Sequence, residues 1–326
     1  MTIPSTRRAL VLGGGSIGTR HTRNLLKRGI SNVTIADPDP ERCRALTKEL
    51  GIRVESDEHA AFASSDPDIV FVCSPTALHV PQALRAVEAG AHVFIEKPLS
   101  HTMEGARELQ KKSREKKHTV MVGCNMRFHP GIQEVKRLLA EGAIGVPVSA
   151  RIVYSGYLPS WRPGQDYKKS YSASVEQGGA VLDCIHEIDL ALWEFGPGTV
   201  TASKVLPAAK IGLATDGEAE IILKHTSGTE SSIHISFMEE KFERSQGITG
   251  TAGSLSWDFE RGTVERYGKD GSLAETIRQP KDWESNQMFL EELDHFLHAV
   301  EHGTIPMGSL DDAIRALEIA LTVKNA

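Results

Sequence analysis

The sequence predicts an α/β protein in two parts: a parallel sheet with helices on both faces, then an antiparallel sheet with helices of its own. Three observations predict it. Up to about residue 125, short β-branched runs alternate with helical stretches, the pattern of strands joined by crossover helices. Those runs are almost continuously apolar, as strands covered on both faces are. Beyond that point the pattern changes to strand–turn–strand, and 326 residues with 40% apolar side chains suffice for two cores.

Strands are expected at 9–12, 32–36, 52–55, 68–73, 92–95 and 119–123, with helices at 16–28, 41–50, 78–89 and 102–117. Gly29, Gly51 and Gly90 follow the first three helices, where a glycine ends a helix most readily. A shorter connection runs through 57–64. After residue 125 come a helix at 130–141 opened by Pro130, a strand at 146–156, a loop rich in Tyr, Pro, Trp and Lys, and a helix at 179–195. Strands at 218–224 and 229–237 flank a turn, and strands at 263–267 and 273–277 flank Lys269-Asp270-Gly271. Helices at 286–302 and 310–323 close the chain. The expected division is 1–122 and 123–326.

Charge narrows the partners. Lys and Arg number 37 against 43 Asp and Glu, a formal net charge of −6, so no broad positive field draws the chain to nucleic acid or anionic lipid. The run Lys111, Lys112, Arg114, Lys116, Lys117 ends a helix and reads as a solvated face suited to the helix dipole. Cys43, Cys73, Cys124 and Cys184 form no C-x-x-C pair and read as free thiols in a reducing compartment. No stretch reads as a signal peptide or membrane helix, so a cytoplasmic location and small-molecule partners are expected. The sequon at Asn32 carries no weight in that setting.

Gly13-Gly14-Gly15-Ser16-Ile17-Gly18 fits G-x-G-x-x-G directly after the first strand and opening a helix. One glycine allows the tight turn, one lets backbone amides approach a pyrophosphate, and the last lets the helix pack closely. Asp37 ends the second strand 19 residues after Gly18, where a carboxylate accepts from ribose hydroxyls and repels a 2′-phosphate. The expected cofactor is therefore NAD rather than NADP, although Arg42 and Arg44 are close enough in sequence to offset that repulsion. The overlapping G-x-S-x-G at Gly14, Ser16 and Gly18 is set aside as a nucleophile elbow, because it follows the first strand rather than a later one. Glu96-Lys97-Pro98 closes the fifth strand at its carboxyl end, where open α/β sheets hold ligands.

GGGSIGTRH, then CSPTALH from Cys73 to His79, EKP at Lys97, CNMRF from Cys124 to Phe128 and GGAVLDCIHEIDLALW from Gly178 to Trp193 occur in that order. Together they resemble the glucose–fructose oxidoreductase/inositol dehydrogenase family, often called Gfo/Idh/MocA, over essentially the whole chain. The resemblance implies an N-terminal Rossmann dinucleotide-binding domain and a C-terminal α/β domain with an open, mostly antiparallel sheet. It implies NAD(P)-dependent oxidation or reduction at a sugar or cyclitol carbinol. Lys97 then touches nicotinamide and substrate, His186 is the acid/base, and Asp183 is the acidic residue before it. Three positions separate Asp183 from His186 where many members have four, so Asp189, also three from His186, is the alternative partner.

Gly13, Gly15, Ser16, Ile17 and Gly18 are expected at the pyrophosphate and Asp37 with Arg42 at the adenosine ribose. Ser74, Thr76 and His79 are expected along the nicotinamide half, with Glu96 and Lys97 beyond. Asn125 and Arg127 are candidates to orient substrate, with Tyr157, Trp161 and Arg162 closing from the aromatic loop. The segment HEIDL lacks the second histidine of H-E-x-x-H, so no metal is expected. A sheet with one uncovered face leaves apolar surface, which implies a homodimer or homotetramer built through it. Two other classes share this pattern: a glycosidase using NAD for transient oxidation, and a regulator that binds nucleotide without turnover.

Overall fold

Six short β-branched and aromatic runs pair in parallel in the computed structural model, which describes residues 6–326. They are β1 (Arg8–Leu12), β2 (Asn32–Ala36), β3 (Arg53–Glu55), β4 (Ile69–Val72), β5 (His92–Glu96) and β6 (Val120–Gly123), in the order β3-β2-β1-β4-β5-β6. All four residues of β4 are buried, because a central parallel strand is covered on both faces. The helices are α1 (Ser16–Lys27), α2 (Pro40–Leu50), α3 (Glu58–Ser65), α4 (His79–Glu88) and α5 (Ala106–Glu115). Strand order reverses between β1 and β4, so the turns after these two strands flank a natural ligand crevice. Helix α5 is shorter than the expected 102–117. It starts only after Gly105, whose φ of 70° and close approach to Val80 end the preceding turns.

The second unit comprises Asn125–Glu284 with Arg315–Ala326. It opens with α6 (Pro130–Ala140), β7 (Pro147–Ser155), α7 (Ala180–Asp183) and α8 (His186–Phe195). Then follow β8 (Gly198–Pro207), β9 (Asp216–His225), β10 (Glu230–Ser236), β11 (Glu243–Gly250), β12 (Gly253–Asp258), β13 (Thr263–Gly268) and β14 (Leu273–Arg278). The sheet runs β14-β13-β12-β11-β7-β10-β9-β8, antiparallel at every step except the parallel β7–β10 pair. One face is apolar and buried: Ile152, Ala219, Ile221, Leu223, Ile233, Ile235, Ile248 and Trp257 lie there, and α8 packs against β7 and β10. The other face carries Ser149, Arg151, Glu220, His234, Gly247 and Thr249. The expectation of an apolar open face is met at Val153 and Ile222, but alternation puts mostly polar and charged side chains on it.

The chain then forms α9 (Asn286–His302) and α10 (Leu310–Lys324). Residues 285–314 belong to the first unit, so the expected division at 122 holds only as far as this return. The cause is packing on α1 and the sheet. Arg28 forks onto Asp294 at 2.7 and 2.6 Å, and Phe296 meets the rings of Phe71 and Phe94 edge-on, 5.6 and 5.7 Å between centroids. No helix among the described residues is long and apolar enough to cross a membrane.

Candidate functional site

In the first unit the turn after β1 is built for close approach. Gly13 has φ 97°, and a Cβ there would lie 2.7 Å from the Cys73 carbonyl oxygen. A Cβ on Gly18 would lie 1.9 Å from the Gly13 oxygen, so only glycine lets α1 start against this turn. A Cβ on Gly15 meets nothing within 4 Å, which leaves open space in front of the helix. No side chain caps α1, and its first turn carries no acidic residue. Its first amides therefore stay available to an anion, with Ser16 exposed and Ile17 half-buried at its start. A cradle that a single methyl group would fill fits the pyrophosphate of a dinucleotide.

Asp37, 2% exposed, accepts from the Gly14 amide at 2.7 Å and the Asp39 amide at 2.9 Å. Arg42 Nη1 adds contacts of 3.0 and 2.9 Å. The carboxylate thus ties the glycine turn to the β2–α2 connection. The Arg42 side chain is 45% exposed and is the one partner free to swing aside.

At the carboxyl ends of β4 and β5, Ser74 Oγ donates to Gln82 at 2.6 Å and Thr76 is buried. His79 lies with Nδ1 2.8 Å from the Pro98 oxygen and Nε2 2.9 Å from the Ser74 oxygen, bracing both strand ends. Burial holds its pKa below the ordinary histidine value. Glu96 ends β5 and is 8% exposed, and its carboxylate meets His21 Nε2 at 2.6 Å and the Lys97 amide at 3.2 Å. Burial pushes the Glu96 carboxyl up. The His21 hydrogen bond and the nearby positive charges, Lys97 included, outweigh it and leave the group below its usual range. Lys97 itself is half-buried.

The second unit holds the other candidates. The helix expected at 179–195 is interrupted: α7 ends at Asp183, Cys184 departs from helical geometry (φ −96°, ψ 33°), and α8 begins at His186. Asp183 and His186 are therefore on successive short helices rather than on one face. Asp183, 5% exposed, accepts from Ser172 Oγ at 2.6 Å and from the Tyr171 hydroxyl. Asp189 receives Arg127 Nε at 2.8 Å and Nη2 at 2.6 Å, in a pair whose side chains are 3% and 2% exposed. Arg127 also lies over the Trp193 ring at 5.5 Å. Two nitrogens of the Arg127 guanidinium are thus engaged by Asp189 in the core, away from the solvent-facing loop residues. Of the loop residues, Trp161 packs edge-on against Phe237 at 5.0 Å and Tyr154 at 6.1 Å, while Arg162 is exposed. Tyr157 and Asn125 are half-buried.

Three features of this unit had no sequence signal. Burial pushes the Glu194 carboxyl up to about 8, against the pull of Gln246 and Lys136. Tyr171 and Ser172 anchor the aromatic loop to Asp183, a contact across 11–12 residues that only the fold creates. On the open sheet face Glu218, His234 and Glu239 bring three ligand atoms within 4.8 Å of one another. His234 is clamped there, Nδ1 2.8 Å from Glu220 and Nε2 2.7 Å from Glu239. Half-burial opposes its charge, yet both carboxylates raise its pKa above the ordinary value, so this cluster carries its own counter-charge.

A 3-2-1-4-5-6 parallel sheet with a glycine cradle after β1 and an acidic residue ending β2 defines a dinucleotide-binding protein. Residues 7–124 match the oxidoreductase family with an NAD-binding Rossmann fold, and residues 132–256 match the GFO/IDH/MocA C-terminal domain. The chain belongs to the Gfo/Idh/MocA oxidoreductase family. It is 26% identical to scyllo-inositol 2-dehydrogenase (NAD(+)) of Bacillus subtilis, over 98% of this chain and 93% of that one. It is 28% identical to inositol 2-dehydrogenase of Rhizobium meliloti, over 95% and 93%. The fold matches levoglucosan dehydrogenase in complex with NADH, with a TM-score of 0.86, 21% identity, and 97% and 95% of the two chains covered.

Proposed function

We propose that this oxidoreductase uses NAD(H) to interconvert a secondary alcohol and a ketone on a sugar or cyclitol. The observation that carries this is the Glu96-Lys97-Pro98 segment held at a strand end next to the phosphate cradle, in a chain whose relatives are named inositol dehydrogenases. Gly13, Gly15, Ser16, Ile17 and Gly18 would hold the pyrophosphate, and Asp37 the ribose diol once Arg42 yields. Ser74 and Thr76 would line the nicotinamide half, with His79 fixing their backbone. When bound, the nicotinamide exchanges a hydride with the carbinol carbon. This chain's residues manage the proton and the charge. His186 takes the hydroxyl proton in the oxidation direction, and Asp183 orients it through a carboxylate already fixed by Tyr171 and Ser172. Lys97 donates to the developing alkoxide, where one preorganised donor contributes about 3–4 kcal/mol. Asn125, Tyr157, Trp161 and Arg162 remain candidates for substrate hydroxyls.

The four cysteines are free, three of them buried, which supports a reducing, cytoplasmic setting. The eight-stranded sheet, which leaves one face uncovered by helices of its own unit, supports a homodimer or homotetramer. A monomer by light scattering at micromolar concentration would remove that part of the reading.

The test is a panel of inositols, free sugars, anhydrosugars and nucleotide-linked sugars, read by NADH absorbance. One or more should turn over. Lys97→Ala and His186→Ala should each lower kcat by roughly 10²–10⁴ with NADH affinity nearly intact. Near-normal turnover in His186→Ala means the proton takes another route. Asp183→Asn should lower turnover and shift the pH profile, whereas Asp189→Asn should act mainly on stability.

A further inference from the structure

We propose that His21 is a positioning residue for Lys97, acting through Glu96. This rests on the reading of Lys97 above. His21 sits on α1, three residues past Gly18, and is 1% exposed. Its ring is enclosed by Phe71, Phe94 and Phe289, with centroids 5.5, 5.0 and 6.0 Å away. Within this aromatic box it has one polar contact, Nε2 to Glu96 Oε1 at 2.6 Å, and its Nδ1 is buried with no hydrogen-bond partner.

A buried histidine–carboxylate pair in an aromatic box is costly. Two apolar side chains of the same volume would fill the space at lower desolvation cost, so packing alone does not call for it. The pair does act on the next residue. Glu96 is held at one oxygen by His21, and its other oxygen accepts the Lys97 amide at 3.2 Å. Two residues on, the Pro98 carbonyl is held by His79 at 2.8 Å. Lys97 therefore leaves a backbone pinned on both sides, next to the Glu96 carboxylate. The other titratable neighbours are His79 of α4 and Cys73 at the end of β4, and Glu292 of α9 faces Cys73. Cys73 is pushed well up by burial and by those two carboxylates, and so adds no charge. The Nε2–H···Glu96 bond ties the phosphate-cradle helix to the lysine's strand end.

The experiment compares His21→Leu, which removes the donor, with His21→Gln, whose amide can place one near the former Nε2. Full-length protein is assayed with the best substrate from the panel. His21→Leu should lose roughly 10–100-fold in kcat, the scale of a small displacement of a reacting group, with KM and NADH Kd within about threefold. Its melting temperature should fall more at pH 8 than at pH 5, because Glu96 left without its donor is harder to keep ionised. His21→Gln should recover most of kcat. A His21→Leu enzyme within twofold of wild type overturns the proposal. So does a His21→Gln enzyme as slow as His21→Leu with a normal melting temperature, since shape rather than the donor would then matter. If His21→Leu fails to fold, Glu96→Gln reads the same link and should lower kcat with KM kept; unchanged kcat overturns it. Lys97→Ala separates the two ideas. A wild-type rate in Lys97→Ala, or no turnover of any panel member by wild type, ends the Lys97 reading and this proposal with it. An impaired Lys97→Ala beside an intact His21→Leu ends this proposal alone.

Discussion

Glu96 in the first unit and Glu194 in the second are both buried carboxyls, yet they titrate in opposite directions. Glu96 ends a parallel strand, where a backbone amide and a histidine reach it, and it stays below its usual range. Glu194 lies near the end of α8, in the layer between helix and sheet, and burial takes it up to about 8. The difference lies in the donors, because both groups are 8–9% exposed. Strand ends concentrate donors, so the first unit keeps charge at its ligand edge. In the second unit's core Asp189 instead meets a full counter-charge, the Arg127 fork.

That contrast is broken most severely at Arg127. Arg127→Ala leaves the Asp189 carboxylate buried without its fork, and removing one member of such a pair costs about 3–5 kcal/mol. Denaturant unfolding should show a loss of that size, and Arg127→Met with Asp189→Leu should recover most of it. A loss below 1 kcal/mol would mean that Asp189 is not held as a buried charge and would return it to contention as the partner of His186.

The next effect runs the other way. Glu194 has a folded pKa near 8 against an ordinary 4.5, so the unfolded chain gives up its proton first as pH rises. The contribution is fully present below pH 4.5 and is lost as pH rises towards 8. At about 1.4 kcal/mol per pH unit, roughly 3 kcal/mol is gone by pH 7. Glu194→Gln should therefore raise the melting temperature at pH 8 and change it little at pH 4.5. An equal effect at both values would show that Glu194 is ionised, as Glu96 is.

The same contrast explains what was legible in the sequence. The first sheet was readable because β1, β2, β4, β5 and β6 are dense apolar runs, and G-x-G-x-x-G followed by Asp37 is a local signal. In the second sheet β8, β11 and β12 had no such signal. Strand β8 buries none of its ten residues, and β11 reads ERSQGITG. Their strand character comes from neighbours paired far away in sequence. The break at Cys184 and the return of 285–314 to the first unit are likewise set by tertiary packing. Among the candidate site residues, Lys97 and His186 rest on motif alone. The Arg127–Asp189 pair had no signal, because a motif reports that an arginine is present but not which carboxylate its fork meets.

The smallest expected effect probes whether donors at a strand end also set cofactor choice. Asp37 is a second buried carboxylate at a strand end of the first unit, and two of its partners are backbone amides, of Gly14 in the glycine turn and of Asp39. Its third partner, Arg42, comes from a half-exposed side chain, and both amides stay with the carboxylate when that side chain moves. Arg42 can therefore leave Asp37 to a ribose diol at little cost, and once released it can face a 2′-phosphate instead. Asp37→Ser should weaken NADH by about tenfold, or roughly 1.4 kcal/mol, while NADPH binding is unchanged or tighter. Arg42→Ala should leave NADH within about threefold and weaken NADPH. Calorimetry with both nucleotides reads both variants. If Asp37→Ser weakens NADH and NADPH by the same factor, the carboxylate serves only the turn, and preference for NAD must come from the shape of the cradle rather than from its charge.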